Sequence, residues 1–326
     1  MTERKEADMI RNRDKLIGNV RNLLSECGFY VTDPINLRGI SFDLIARRDD
    51  QLLVLKVLQN ADAFSREDAE QMRRLANILG GRAAVIALRS SSKKLEEGII
   101  YSRFGMPILS FDTLEEYLKE GVPPFIFAAP GGLYVKIDSA LLKSIRQERN
   151  ISLGTLAEIA GVSRKAIQMY EEGMGTMIEI AMRLEEFLNE PLVVPLNPFE
   201  YSDDSEALPV TDDFEDFDML HEEIFSLLKS IGYSVLPTAR CPFEAITTDE
   251  KIMLLTGVER YGPMLEKKAN AVSSISKVVE KKAVIITDKD AHVKCLKQTP
   301  VIARDELAHA KEKEKVLDLI KERSED

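Results

Sequence analysis

Ser163, Arg164, Lys165 and Gln168 lie close together in one stretch of the chain, and their side chains have the chemistry to read base pairs. A guanidinium or an ammonium can pair with guanine in the major groove, and a primary amide can pair with adenine. Arg164 is the first candidate for a base contact. Lys143 and Arg146, somewhat earlier, carry the charge to meet phosphates, and Ser152 and Thr155 complete the candidate set with hydroxyls at the start of the intervening segment. Between Lys136 and Tyr170 six basic residues stand against three acidic ones, a local balance of +3 with the sign that phosphate contact needs.

For these side chains to act together, short helices must hold them at fixed angles. Ser139 to Arg149 reads as a first helix with Leu141, Leu142 and Ile145 on one face. Ser152 can cap a second, Leu153 to Ala160, which ends at Gly161. Glycine is free to take a positive φ, so the chain can turn sharply there into a third helix capped by Ser163. Ala157 is small enough for the second and third helices to cross closely. Leu156, Val162 and Ile167 have the spacing of a shared core, and Tyr170 closes the third helix. Three short helices with a tight glycine turn between the last two form the helix-turn-helix plan, with Ser163, Arg164, Lys165 and Gln168 at the exposed front of the recognition helix.

The run Leu153-x-x-Leu-Ala-x-x-Ala-Gly-Val-Ser-Arg-x-x-Ile-x-x-Tyr-Glu resembles the lambda-repressor and Cro type of DNA-binding domain, a likeness that covers about fifty residues. The helices that follow in that family resemble Thr176 to Asn189, where Ile180, Leu184 and Leu188 supply an apolar stripe. There are two departures. Gly154 stands where a helix former is usual, and Met174-Gly175 replaces a common proline-containing link.

Composition sets the frame around this module. At 326 residues, with 44% hydrophobic and 30% charged residues, the chain is long enough for two or three soluble domains, and three are expected. No apolar run approaches the ~18 residues of a membrane span, and the charged amino terminus is unlike a secretory signal, so a cytoplasmic, nucleoid-associated protein is expected. Cys27, Cys241 and Cys295 are far apart and read as buried free thiols; His221, His292 and His309 read as surface histidines, and no metal or other cofactor is expected. The net charge of −11 is partly local, because residues 200 to 223 hold eleven acids and no Lys or Arg. That stretch reads as a solvated linker.

The chain also matches itself. Asn22-Leu-Leu-Ser-Glu-Cys-Gly-Phe-Tyr-Val31 aligns with Ser226-Leu-Leu-Lys-Ser-Ile-Gly-Tyr-Ser-Val235, and residues 41–57 align with 242–258. Further on, 82–88 pairs with 282–288 and 106–114 with 299–307. Each copy reads helix, strand, hairpin strand, helix, strand, short strand, helix, a mixed sheet flanked by helices. Between the copies, from Ile137 to Leu188, the apolar residues keep helical spacing and no strand is visible. The tail from Lys311 to Arg323 reads as a solvated helix. Lys267-Lys268 and Lys281-Lys282 read either as exposed helix ends or as additional phosphate contacts.

Asp43, followed thirteen residues later by Lys56 on a strand, resembles the restriction-endonuclease and Holliday-junction-resolvase core. That resemblance implies DNA cleavage with a second acid two residues before the lysine, because two carboxylates are needed to hold Mg²⁺ beside the attacking water. Here that place is Val54, and Asp49 and Asp50 are too near the turn to replace it. In the second copy Glu244 matches Asp43, but Leu255 and Gly257 stand where the acid and the lysine would be. Asp43 and Lys56 then read as a residual ion pair or as solvated charges.

The whole arrangement is similar to a family of archaeal HTH-type transcriptional regulators, which implies DNA-dependent regulation. The expected fold class is a lambda-repressor-like helical domain between two degenerate restriction-endonuclease-like α/β domains. The expected divisions are 1–127, 128–192, an acidic linker at 193–216, and 217–326. The expected function is that of a homodimeric, non-enzymatic regulator of double-stranded DNA, with an effector or a transcription-machinery partner left open. Its rivals are a nuclease or resolvase-like enzyme using Asp43 and Lys56, and a non-catalytic adaptor for proteins or a ligand.

Overall fold

The structure is a computed structural model that describes residues 2–35, 37–201, 217–289 and 293–324, with side chains from residue 12 onward. The first repeat opens with α1 (Thr2–Glu26), β1 (Tyr30–Val31), β2 (Leu44–Arg48), β3 (Gln51–Asn60) and α2 (Arg66–Leu79). It continues with β4 (Arg82–Ser90), β5 (Lys93–Lys94), β6 (Ile99–Arg103), β7 (Met106–Leu109) and α3 (Phe111–Glu115), which runs on into a wider turn at Glu116–Glu120. The centre consists of β8 (Ile126–Ala129), β9 (Gly132–Val135), α4 (Ser139–Glu148), α5 (Leu153–Ala160), α6 (Arg164–Glu171), β10 (Thr176–Met177) and α7 (Ile178–Leu188). The second repeat holds α8 (Met219–Ile231), β11 (Ser234–Pro237), β12 (Ala245–Thr248), β13 (Met253–Glu259) and α9 (Pro263–Val279). It ends with β14 (Lys282–Thr287), β15 (Cys295–Leu296), β16 (Thr299–Ala303), α10 (Arg304–Ala310) and α11 (Lys313–Ser324).

The chain forms two compact units, one of residues 1–57, 65–83 and 209–326, the other of residues 58–64 and 84–208. In the first unit the two repeats present the same local architecture, because the same pattern of apolar residues is repeated. An amphipathic helix ends at a glycine in the left-handed conformation, Gly28 or Gly232, and leads into an antiparallel meander, β1–β2–β3 or β11–β12–β13. The second repeat completes a sheet in the order β11-β12-β13-β14-β16-β15, where β13, β14 and β16 run parallel. Parallel strands buried on both faces need continuous apolar runs, and Lys282–Thr287 has one: every residue after Lys282 is buried. Leu220, Ile224, Phe225 and Leu228 of α8 cover one part of this core, and Val316 and Ile320 of α11 join it. The tail is therefore packed, not solvated. Arg323 is 5% exposed and donates to Val301 O and to the Glu306 carboxylate.

In the second unit the strands run β4-β7-β6-β8-β9-β10, so the helical module shares a sheet with the rest of its unit. Its expected border at 127/128 falls inside β8, and Ala129-Pro130-Gly131-Gly132 is the turn of a hairpin, with Gly131 at φ 101. The module also contains the short strand β10, which pairs with β9. Its core holds Leu142, Ile145, Leu156, Ala157, Ile167, Tyr170, Leu184 and Leu188, as anticipated, together with Ala160 and Ala181, while the anticipated Leu141, Val162 and Ile180 pack against it only partly buried. Pro191 to Tyr201 packs against the same unit: Val194 N–H donates to Lys136 O, and Leu196 and Phe199 are buried. The first nine residues of the expected linker are thus structural, while 202–216 lie outside the described residues.

Candidate functional site

The helical module builds its outer surface from three caps. Asp138 accepts from Leu141 N–H, Ser152 from Thr155 N–H and Ser163 from Ala166 N–H, each filling an otherwise unpaired donor at a helix start. Gly161 ends α5 at φ 71. The place a Cβ would take on Gly161 lies 2.9 Å from Arg183 Nη1, which donates to Ala160 O. Glycine is therefore favoured there by its backbone angle, while a Cβ would only make the end of the Arg183 side chain shift.

With Ile167 and Tyr170 anchored inside, Ser163, Arg164, Lys165 and Gln168 stand exposed on α6. Gly154, the departure in α5, has a local reason. The position of its missing Cβ is 3.1 Å from both Nε and Nη2 of Arg164, so the guanidinium rests against the bare backbone of α5. Ser152 and Thr155 are exposed and joined by a 2.9 Å hydroxyl contact, and Lys143 is exposed on α4. Arg146 does a different job. It grips both oxygens of Glu171 at 2.5 and 3.0 Å, with side-chain exposures of 16% and 7%, and so ties α4 to the end of α6.

The carboxylate site of the first repeat is filled by its own chain. Asp43 Oδ2 accepts from Val57 N–H at 2.7 Å, and Arg13 on α1 donates to Asp43 Oδ1 at 2.5 Å and to Val57 O at 3.0 Å. Arg13 is thus the ion partner of Asp43. Lys56 instead donates to Ile40 O at 2.9 Å. Burial pushes the Lys56 ammonium below its usual range, and Asp43 and Asp68 only partly offset this. Val54, two residues before it on the same strand face, is fully buried, and Asp49 and Asp50 are exposed in the turn. A divalent cation would need two free carboxylates here, whereas Asp43 has both oxygens engaged and its expected companion is a valine, so these residues do not fit one.

The second repeat repeats the arrangement with a different cation. Glu244 Oε2 accepts from Val258 N–H at 2.6 Å, and Lys268 on α9 donates to Glu244 Oε1 at 2.7 Å and to Val258 O at 2.6 Å. Lys268 also lies 3.1 Å from Glu259 Oε2. Lys268 is buried, contrary to its reading as an exposed helix end. Its side chain runs past Gly257 at ordinary contact distance, with Cδ 3.7 Å from where a Cβ would be, while the tight neighbour of that place is Ile285 Cγ1 at 3.0 Å. Burial raises the Glu244 carboxyl above its usual range, and Lys268 opposes that rise. In both repeats one cation bridges the acid and the carbonyl of the residue whose N–H the acid accepts. Sequence reasoning missed Arg13 and Lys268 because each belongs to a helix outside the strand pair that carries the motif.

Contacts made by Arg240 join the repeats within this unit. Ser41 N–H donates to Arg240 O, and the Arg240 guanidinium reaches Glu67 at 2.9 Å and Asp68 at 3.1 Å. Of the remaining candidates, all three cysteines are free; Cys27 and Cys295 are only partly buried, against expectation, whereas burial pushes the Cys241 thiol well above its usual range. His221 contacts Asp218, His309 contacts Asp305 O, and His292 lies outside the described residues. Among the described residues no cluster of three His, Cys, Asp or Glu could hold a metal ion, and no helix is long and apolar enough to cross a membrane.

Comparison with known proteins agrees with both parts of this architecture. Residues 13–124 match the PD-(D/E)XK superfamily domain, and residues 142–194 match a helix-turn-helix. Proteins named "Putative HTH-type transcriptional regulatory protein" are similar over nearly the full length. That of Haloquadratum walsbyi is 40% identical over 96% of this chain and 98% of the relative. Those of Haloarcula marismortui and Methanosarcina barkeri are 37% and 36% identical, over 97% and 96% of this chain and 98% of each relative. No solved structure matches the chain.

Proposed function

This chain belongs to the family of archaeal HTH-type transcriptional regulatory proteins, and from that premise we propose that it binds specific duplex DNA through α6 as a homodimer. The observation that carries the reading is the exposed row Ser163, Arg164, Lys165 and Gln168 on a helix whose cap and inner face are fixed. Arg164 and Gln168 serve as base readers, Lys165 and Lys143 meet phosphates, and the Ser152 and Thr155 hydroxyls approach the backbone from the start of α5. A lone helix-turn-helix reads few base pairs, and a second copy one helical turn away supplies the specificity a regulator needs.

The PD-(D/E)XK domain serves this regulator without cutting DNA. Arg13 on Asp43, and a buried valine in place of the second acid, support that reading. A fold by itself does not imply the chemistry of its relatives. The cell compartment proposed for the protein is the cytoplasm, on the nucleoid.

Selection of duplexes from a random pool by the purified protein, with and without Mg²⁺, tests these points together. An enriched inverted repeat without cut ends is expected. Ends that appear only with Mg²⁺ would overturn the non-catalytic reading, and absence of any enriched sequence would overturn DNA recognition. Arg164→Ala should cost about 1–3 kcal/mol at a single base position, as the loss of a bidentate contact does.

A further inference from the structure

A concentration of positive charge lies in the second repeat, away from the helix-turn-helix sequence. Between Pro263 and Arg304 nine basic residues face four acidic ones, in a chain whose net charge is −11. One of those acids, Glu280, is already paired with Arg47, and two of the bases, Lys268 and Arg304, are paired with Glu244 and Glu223. Lys267, Lys277, Lys281, Lys282 and Lys297 are exposed, and none of them forms an ion pair among the described residues.

They are not scattered. Lys267, Asn270, Ser274 and Lys277 follow one stripe of α9 and line two adjoining grooves, and Lys297 and Gln298 line the end that holds Lys277. Lys297 and Gln298 both take positive φ, 51° and 66°, in the tight turn between β15 and β16 that brings them there. Tyr30, 73% exposed, borders the same groove from β1, and Lys281-Lys282 follow directly after α9. The stripe from Lys267 to Lys277 is about 15 Å long at the helical rise, close to the rise of about four phosphates of one strand measured along the duplex axis. Asp33, which also lines the groove, has its charge met by Arg21 at 2.9 Å.

Resting on the reading of the chain as a DNA-binding regulator, we propose that the α9 groove is a second DNA contact, one that grips the duplex backbone outside the recognised bases. Lysine, tyrosine, serine, asparagine and glutamine are side chains that hydrogen-bond phosphate and sugar, and apart from Asp33 they supply the polar part of this lining, beside apolar residues such as Val31, Leu37 and Val278. The contact adds affinity and salt dependence and leaves base preference to α6.

The test compares the full-length protein with the triple variant Lys267→Gln/Lys277→Gln/Lys297→Gln, and with Lys229→Gln/Lys311→Gln/Lys321→Gln, which removes the same charge from exposed sites elsewhere. Binding is titrated over a range of salt on a long duplex carrying the selected sequence and on a random-sequence duplex. The groove variant should flatten the slope of log K against log[salt] by about 2.7, or about 0.9 per lost phosphate contact, on both duplexes with the selected sequence unchanged. The control should keep the wild-type slope, and circular dichroism should show both variants folded. Equal slopes for the two variants, or a groove variant that matches wild type, would overturn the proposal. If no sequence is selected at all, recognition by α6 fails, and the random duplex still decides the groove.

Discussion

Lys268→Met tests whether the buried pair of the second repeat has become a structural clamp. Lys268 and Glu244 have side-chain exposures of 11% and 16%, and the ammonium reaches both Glu244 Oε1 and Val258 O within 2.7 Å. Removing the cation leaves a carboxylate and a carbonyl buried without it, a change that costs about 3–5 kcal/mol when one partner of a buried pair is lost. Glu244→Leu should cost less, because the ammonium keeps Glu259 Oε2 at 3.1 Å and Val258 O at 2.6 Å. The double variant Glu244→Leu/Lys268→Met removes both charges of the pair; it leaves the Val258 N–H and C=O unpaired, at about 1–3 kcal/mol each, and takes the ammonium from Glu259. It should therefore be much less destabilised than the sum of the single variants.

The assay is denaturant unfolding, with the second repeat followed through hydrogen exchange at β13 and β14. Lysine loss should also acquire a pH dependence. Burial already raises the Glu244 carboxyl above its unfolded value of 4.5, and without Lys268 nothing of comparable strength opposes that rise. A carboxyl with a raised folded pKa contributes stability below its unfolded pKa and loses it as pH rises through the folded value. The Lys268→Met deficit should thus be largest near neutrality and shrink on acidification. Additive single and double costs, within about 0.5 kcal/mol, would refute the clamp.

Gly154→Ala should act in opposite directions on stability and recognition: it favours the α5 helix by about 1 kcal/mol, yet its Cβ would meet the Arg164 guanidinium, so melting should rise while the selected base sequence changes. Arg146→Ala should destabilise the helical module by about 3 kcal/mol through the stranded Glu171, measured by thermal unfolding. Lys143→Ala, by contrast, should leave stability alone and weaken all duplexes in the same proportion in a binding titration. Lys56, whose ammonium is held below its unfolded value of 10.5 by burial, should make wild-type stability rise relative to Lys56→Met between its folded pKa and 10.5, as read from urea midpoints at stepped alkaline pH.

The carboxylate sites separate what one strand pair can reveal from what needs the whole fold. The absence of an acid at Val54 and of a lysine at Gly257 is visible along the chain, since motif positions lie within one hairpin. The replacement cations are not visible there. Arg13 meets Asp43 across 30 residues and Lys268 meets Glu244 across 24, from helices whose rotation against the sheet decides which side chain arrives. Charge pairing depends on distance in space, and no period in the sequence encodes it.

By itself the sequence determined the helix-turn-helix with its caps at Ser152 and Ser163 and its turn at Gly161, and the broad order of elements shared by the repeats, though not the short strands β5, β6 and β15. Capping bonds span three residues and amphipathic faces recur every three or four, so both are written locally. Only the tertiary structure decided that β8 and β9 join the helical module to a neighbouring sheet, that the tail helix is packed, and that Arg146 serves Glu171. It also gathered the exposed lysines of α9 and the β15–β16 turn along one groove. Each of these outcomes rests on contacts between segments distant in the chain, which take their partners only when the chain has folded.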